Sequence, residues 1–103
     1  MAYSVHIADE ASKSLARSVE YVAFVLKEPR AASEMLDDFD AFVERISEMP
    51  ETYPTCREAR LSALRIRKAI IKKYIALYRV DEESRRVDVV AFFHQTQDYA
   101  RLV

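Results

Sequence analysis

An α+β fold, with a small antiparallel sheet packed on a two-helix hairpin, is what the apolar pattern of this 103-residue chain predicts. Two observations carry the prediction. Apolar residues recur at spacings of three and four through residues 11–26 and again through 32–46, with one proline between the runs and another after them. The other apolar stretches, at 3–7, 64–68, 74–80 and 87–94, are short, rich in β-forming residues and joined by polar links.

The elements come in the order β-α-α-β-β-β. Tyr3 to Ile7 alternates polar and apolar side chains, as a half-buried strand does. Asp9 is placed to cap a helix. On that helix Ala11, Leu15, Val19, Val22, Ala23 and Leu26 share one face, and Pro29 ends it or opens the next. The second helix sets Ala32, Met35, Leu36, Phe39, Phe42, Val43 and Ile46 against an acidic face of Glu34, Asp37, Asp38, Asp40, Glu44 and Glu48, and stops at Pro50. The short link KEPR predicts an antiparallel helical pair.

Residues 51–62 read as a loop. The alternation Leu64, Arg65, Ile66, Arg67, Lys68 predicts a strand with Leu64 and Ile66 toward the helices and Arg65 and Arg67 on the opposite face. Tyr74 to Val80 and Val87 to His94 are the next strands, joined by a turn at Asp81 to Ser84. Short links make the last three strands a meander, and the first strand is expected at an edge of the sheet. Residues 1–103 form one domain, because the length supports a single modest core.

Composition narrows the function. The chain contains no glycine, whereas about 7 per cent is usual. Phosphate-cradling loops of nucleotide-binding folds need glycines for close backbone approach, so those classes are excluded and no cofactor is expected. Cys56 is the one cysteine, which rules out an internal disulfide or a cysteine zinc site. The carboxylates of Asp37, Asp38 and Asp40 fan around a helix face, so no metal is expected either. The N-terminus lacks a basic stretch followed by an apolar one, and no apolar run reaches the roughly 20 residues of a membrane span. A reducing cytoplasm and no membrane partner are the expectation.

Charge is placed unevenly. Residues 57–86 hold ten Lys or Arg against four acids, and residues 1–56 hold five against eleven. Such a dipolar chain points to an anionic partner.

Several ordered motifs resemble the RelE/ParE superfamily, the toxins of bacterial type II toxin–antitoxin modules and plasmid stabilisation systems. They are Tyr21-Val22-Ala23 in the first helix, Pro29-Arg30-Ala31-Ala32 opening the second, and Ile46-Ser47-Glu48-Met49-Pro50 closing it, with Tyr53-Pro54 soon after. An arginine-bearing strand at Leu64 to Lys68 is next. Then come Tyr74-Ile75-Ala76-Leu77-Tyr78-Arg79-Val80, similar to the family's Tyr-x-x-x-Tyr-Arg-Val strand, a last strand ending in His94, and Asp98. The resemblance implies a toxin neutralised by a cognate antitoxin, acting as a DNA gyrase poison or as a ribosome-dependent messenger RNA endonuclease. Ile75 stands where nucleolytic members often carry arginine, and Gln95-Thr96-Gln97 occupies the end of the last strand where another arginine is common. The tyrosine strand itself is similar to the ParE branch, which poisons gyrase. A non-catalytic module that only engages an antitoxin or nucleic acid is the alternative, and a homodimer fits either reading.

If the chain cleaves RNA without metal, it needs cations for the phosphate and groups that carry protons. Arg65 and Arg67 are the candidates for the first task, with Lys68 beside them. His94 and Glu58 are the candidates for the second. An anionic or nucleic-acid surface is expected from Arg60, Arg65, Arg67, Lys68, Lys72, Lys73 and Arg79, with Tyr74 and Tyr78 on one strand face to stack bases.

Overall fold

The fold was analysed in a computed structural model, which describes residues 2–95. Strand β1 spans Ser4–Ile7, and helix α1 spans Asp9–Glu20. Asp9 does not cap α1. It is the helix's first residue, Ala8 holds the cap position, and Asp9 and Glu10 offset the helix dipole from inside the first turn.

The apolar stripe of the first helix does not run on as regular α-helix. Tyr21–Val25 widen into a π-turn, in which the Leu26 N–H donates to the Tyr21 carbonyl at 3.0 Å. The extra residue in the turn rotates the end of the helix out of register. Leu26, which a regular helix would keep on the buried face, is 48% exposed, and Phe24 beside it is 76% exposed. Lys27 then breaks the helix with φ of 56°, and Pro29 takes the first position of α2, Pro29–Glu48.

The sheet order is β1-β4-β3-β2. β2 (Arg67–Ile71), β3 (Tyr74–Asp81) and β4 (Arg86–His94) form the expected antiparallel meander. β1 joins at the β4 edge, parallel to it. The register of β3 on β4 shifts between Leu77 and Tyr78, which leaves Val90 as the extra residue of a bulge. The turn before β4 is held as expected, with the Asp81 carboxylate accepting from the Glu83 and Ser84 N–H groups at 3.1 and 3.4 Å.

One sheet face packs on the helices. Phe39, Phe42 and Ile46 of α2 and Ala11 of α1 are buried against Ala69, Ala76, Tyr78, Val87, Val89 and Phe92. Their rings meet edge-on or tilted, Phe39 on Phe92 at 5.5 Å and Phe42 on Tyr78 at 5.8 Å between centroids. Leu36 of the predicted stripe lies at its margin and is exposed. The buried Tyr78 hydroxyl donates to the Pro50 carbonyl at 2.6 Å, which ties the centre of the sheet to the end of α2.

The second face carries a smaller core, and here the sequence expectation fails. Residues 59–63 form a short helix, α3 (Ala59–Ala63), rather than a loop. The strand predicted at Leu64 to Lys68 starts three residues later, at Arg67. The cause is local. The Glu58 carboxylate accepts from the Leu61 N–H at 2.9 Å and nucleates the turn, and Arg65, with φ of 59°, ends it. Leu61 and Ile66 are thereby buried with Cys56, Ile75, Leu77 and Phe93 on the outer face, while Leu64 is left exposed. The predicted sidedness is also inverted: Ile66 packs outside, and Arg67 lies on the helix side, opposite Tyr78.

All four described residues with left-handed backbone are Lys or Arg: Lys27, Arg65, Lys72 and Arg85. A chain without glycine has to bear that strain on residues with a Cβ. Lys27→Gly is therefore expected to raise unfolding free energy by about 0.5–1 kcal/mol, the relief of strain exceeding the added flexibility of the unfolded chain. Urea denaturation reads this as a higher midpoint at unchanged slope.

Burial pushes the Tyr78 hydroxyl up to about 12 from its usual 10.0. The folded chain keeps this proton where the unfolded chain has lost it. The stability it confers is full below pH 10 and is lost as the pH rises toward 12. Tyr78→Phe should cost about 1 kcal/mol at neutral pH, for one lost hydrogen bond. The same variant should lose less stability than the parent between pH 10 and 12, as read by denaturation at both ends of that window.

Candidate functional site

The candidate residues fall into three separate places. Arg67 is half-buried, and its Nη1 donates to the Tyr53 carbonyl at 2.6 Å. It fastens residues 53–55 along the β2 edge, where the Lys68 N–H also donates to the Pro54 carbonyl at 3.0 Å. Tyr78, its cross-strand neighbour, is wholly buried and offers no ring face to a base. Glu58 is engaged as the α3 cap. Arg67, Tyr78 and Glu58 therefore each make a contact that holds the fold.

The second place is the outer face. Arg57 and Arg60 flank or lie on α3, Arg65 sits on the turn after it, and Arg79 projects from β3; all four are exposed. Lys68 is half-buried on the same face, and its charge opposes the effect of burial on Cys56, whose thiol is pushed up by desolvation. Arg65 thus belongs to a turn rather than a strand, yet it remains part of a basic surface. The acid nearest in sequence, Glu58, is turned into its own helix. This face is predominantly basic, with Asp88 of β4 directly across the ladder from Arg79.

The third place is a groove of about 280 Å³ between the π-turn, the start of α2 and the β2–β3 hairpin. Tyr21, Leu26, Met35, Ile71, Tyr74 and Phe92 supply its apolar lining. Tyr74 stacks on Phe92 with ring centroids 5.2 Å apart and meets the edge of His94 at 5.4 Å. Lys72, on the hairpin turn, points its Nζ to the Asp38 carboxylate at 2.9 Å and lies 3.8 Å from Glu34. The hydrogen bond to Asp38, together with its charge, holds the Lys72 ammonium above its usual value. Lys73 is exposed beside it. Sequence reasoning missed this groove. Its signal was the unbroken apolar run Tyr21 to Leu26, in which Phe24 and Val25 fall off the helical stripe.

The four catalytic candidates do not converge. His94 lies level with Tyr74 and Ile71, whereas Arg67 lies level with Tyr78. Four residues of strand separate those levels, about 13 Å at 3.3 Å per residue. Glu58 and Arg65 belong to the opposite face. Asp98, Thr96 and Gln97, named by the sequence motifs, lie outside the described residues. Among the described residues no three His, Cys, Asp or Glu side chains gather as a metal site requires, and no helix is long and apolar enough to cross a membrane.

Comparison with known proteins adds the lineage. The sequence model of the ParE toxin of the type II toxin–antitoxin system parDE matches residues 5–99. Among solved structures, the fold is similar to a chain of the chromosomal ParDE toxin–antitoxin system of P. aeruginosa, with a TM-score of 0.69, 15% identity, and coverage of 89% of this chain and 95% of that one. It is also similar to a chain of the RelBE2 toxin–antitoxin complex of Mycobacterium tuberculosis, with a TM-score of 0.63, 21% identity, and coverage of 92% and 100%. No curated protein matches the sequence. A match spanning nearly the whole chain, on an α+β fold shared with both complexes, makes this protein a member of the ParE toxin family of type II toxin–antitoxin systems.

Proposed function

We propose that the protein inhibits growth by binding DNA gyrase, in the manner of the ParE branch, and that a cognate antitoxin neutralises it. The observation that carries this reading is the division of labour among the cations. Those expected to bind a scissile phosphate are dispersed, with Arg67 spent on the Tyr53 carbonyl at 2.6 Å. The exposed ones, Arg57, Arg60, Arg65 and Arg79, share the outer face, where they outnumber the acids Glu58 and Asp88 beside them and can steer and hold an acidic macromolecule. Binding needs such a surface, and catalysis needs convergent groups.

Ribosome-dependent messenger RNA cleavage is the second reading. It is favoured by His94, which meets Tyr74 and lines the same groove as Lys72 and Lys73, so that a proton carrier, an aromatic ring and cations share one rim. A non-catalytic module that only engages an antitoxin is the reading left if neither target is affected.

Induced expression in bacteria separates the three. A DNA-damage response with intact transcripts is the expected result. Cut transcripts would turn the assignment to the nuclease, and unimpaired growth would turn it to the binding module. Combined Arg57→Glu, Arg65→Glu and Arg79→Glu is expected to restore growth, because three reversals at an interface cost about 3 kcal/mol, roughly a hundredfold in affinity. Its melting temperature should fall by only a few degrees, since none of these side chains is buried and only the Arg79 change sets like charges opposite each other, at Asp88.

His94→Gln is expected to leave growth inhibition intact. A general acid or base contributes about a hundredfold or more to a rate, so loss of toxicity in this variant, alongside loss of transcript cleavage, would overturn the gyrase reading.

A further inference from the structure

Most cations of the outer face are of one type. Arg57, Arg60, Arg65, Arg79 and Arg86 are arginines, and Lys68 is the one lysine beside them. Arg86 belongs to this face because it pairs with Asp81 two residues from the Arg79–Asp88 pair, while Val87 and Val89 turn to the helices. Arginine offers a planar fork of donors that takes carboxylate or phosphate oxygens in pairs.

The acids of the face are engaged within the chain. Glu58 accepts from the Leu61 N–H, Asp81 from the Glu83 and Ser84 N–H groups, and Asp88 from Arg86 Nε at 2.8 Å. Arg57, Arg65 and Arg79 make no ion pair among the described residues.

The apolar side chains choose between a protein and a nucleic acid. A protein partner is held by aromatic or aliphatic anchors seated in pockets, with charges at the rim. Among the described residues this face exposes no aromatic ring, and its large exposed apolar side chains are Leu64 and Ile70, on different elements. A phosphate backbone needs no such anchor, because charge and hydrogen bonds hold it. Single strands are bound by stacking their bases on rings, and Tyr74 and Tyr78 lie on the helix side. A duplex, whose bases are turned inward, is the better match.

The dimensions agree. Arg86 on β4 and Arg65 at the head of β2 stand two strand spacings apart, about 10 Å. A minor groove is about 6 Å wide, so cations at that spacing reach the phosphates on both its rims. Asp37, Asp40 and Glu44 are exposed on α2, on the other side of the sheet, so the charge asymmetry turns the arginines toward a polyanion.

We propose that the outer face grips the sugar–phosphate backbone of duplex DNA without reading its sequence, so that the toxin contacts the DNA held by gyrase rather than an acidic stretch of the enzyme. No helix of the face projects to enter a groove: α3 has five residues and packs by Leu61 onto Ile75, Leu77 and Phe93. The placement at gyrase rests on the function proposed above, and the contact with a duplex does not.

The test is fluorescence anisotropy of a labelled duplex with the full chain made by cell-free synthesis, without gyrase, across a range of salt. For about four phosphate contacts, affinity should fall roughly a hundredfold between about 50 and 200 mM salt. Two duplexes of unrelated sequence should bind alike, and a single strand of the same length should bind about tenfold more weakly. Combined Arg57→Gln, Arg65→Gln and Arg79→Gln should leave only about a threefold fall over that salt range, with an unchanged circular dichroism spectrum. No binding by the parent at the lowest salt, an unchanged salt dependence in the variant, or equal binding of the single strand would overturn the proposal. So would polyglutamate of equal charge competing as well as the duplex does, since the face would then answer to charge alone. A photoactivatable cross-linker in place of Ser62, exposed on α3, tests the placement in a mixture of toxin, gyrase and DNA. Attachment to DNA is expected. Attachment to the gyrase protein alone would overturn the placement while the gyrase function stood. A parent that binds the duplex yet leaves supercoiling by gyrase unimpaired would overturn the gyrase function and leave the duplex contact in place.

Discussion

The fold depends on the fit of one helix face to one strand pair. Phe39, Phe42 and Ile46 occupy successive turns of α2 and bury themselves on β3 and β4, where Ala76 leaves room and Tyr78 and Phe92 fill it. The small residue is as necessary as the large ones, because a bulkier side chain at Ala76 would hold the helix off the sheet. Tyr78 then converts proximity into register. Its hydroxyl reaches the Pro50 carbonyl, so α2 cannot slide along the sheet without leaving a buried donor unpaired. Tyr53 closes the same cluster, packed 5.8 Å from Phe42 and 6.3 Å from Tyr78 between centroids. Everything else attaches to this block: Arg67 ties the 53–55 loop to it, and α1 is pinned by the Ser14 hydroxyl on the Phe92 carbonyl.

The second constraint is the missing glycine. A helix end, the α3 exit, the β2–β3 hairpin and the β3–β4 turn each demand a left-handed residue, and Lys or Arg supplies all four. Long basic side chains tolerate the backbone no better than others do. They have uses at turns, however, because a turn projects its side chain away from the core. Lys72 reaches back across the groove to Asp38, and Arg85 lies over the Tyr3 ring at 5.4 Å. Strain accepted for want of glycine is partly offset by the contacts of the residue that bears it.

Much of the fold was legible because its elements are periodic. The α2 stripe, the meander and the Asp81 turn stand where the pattern placed them. The residues between 51 and 66 were not legible, for a specific reason. Leu64-Arg65-Ile66-Arg67 alternates as a strand should, but the alternation is accidental: Glu58 caps a single helical turn, which Leu61 buries, and a five-residue helix is too short to show its own period. The site suffered from the same stretch. Once Arg65 moves to a turn and β2 starts at Arg67, the arginines expected to act together lie on opposite faces. The groove escaped notice because an α-helix was assumed through Leu26, and a π-turn has no sequence signature beyond apolar residues that fit no stripe.

The gathering of cations around the strand Tyr74–Asp81 has an explanation in how that strand is covered. A sheet with one bare face would carry its charges on alternate residues of the strand itself. Here β3 is buried on both sides: Ala76 and Tyr78 lie under α2, and Ile75 and Leu77 lie under α3. Only Arg79 and the terminal Asp81 emerge from it, and Arg79 is its one cation. The other cations have to come from the elements around it, which means α3, the turns and the edge strand. A basic surface built this way is a ring of long side chains around a rigid apolar sheet. Such a ring attracts and orients an acidic partner over a broad area. The double burial of one short strand therefore decides where the cations can stand, and the breadth of the basic surface follows from it.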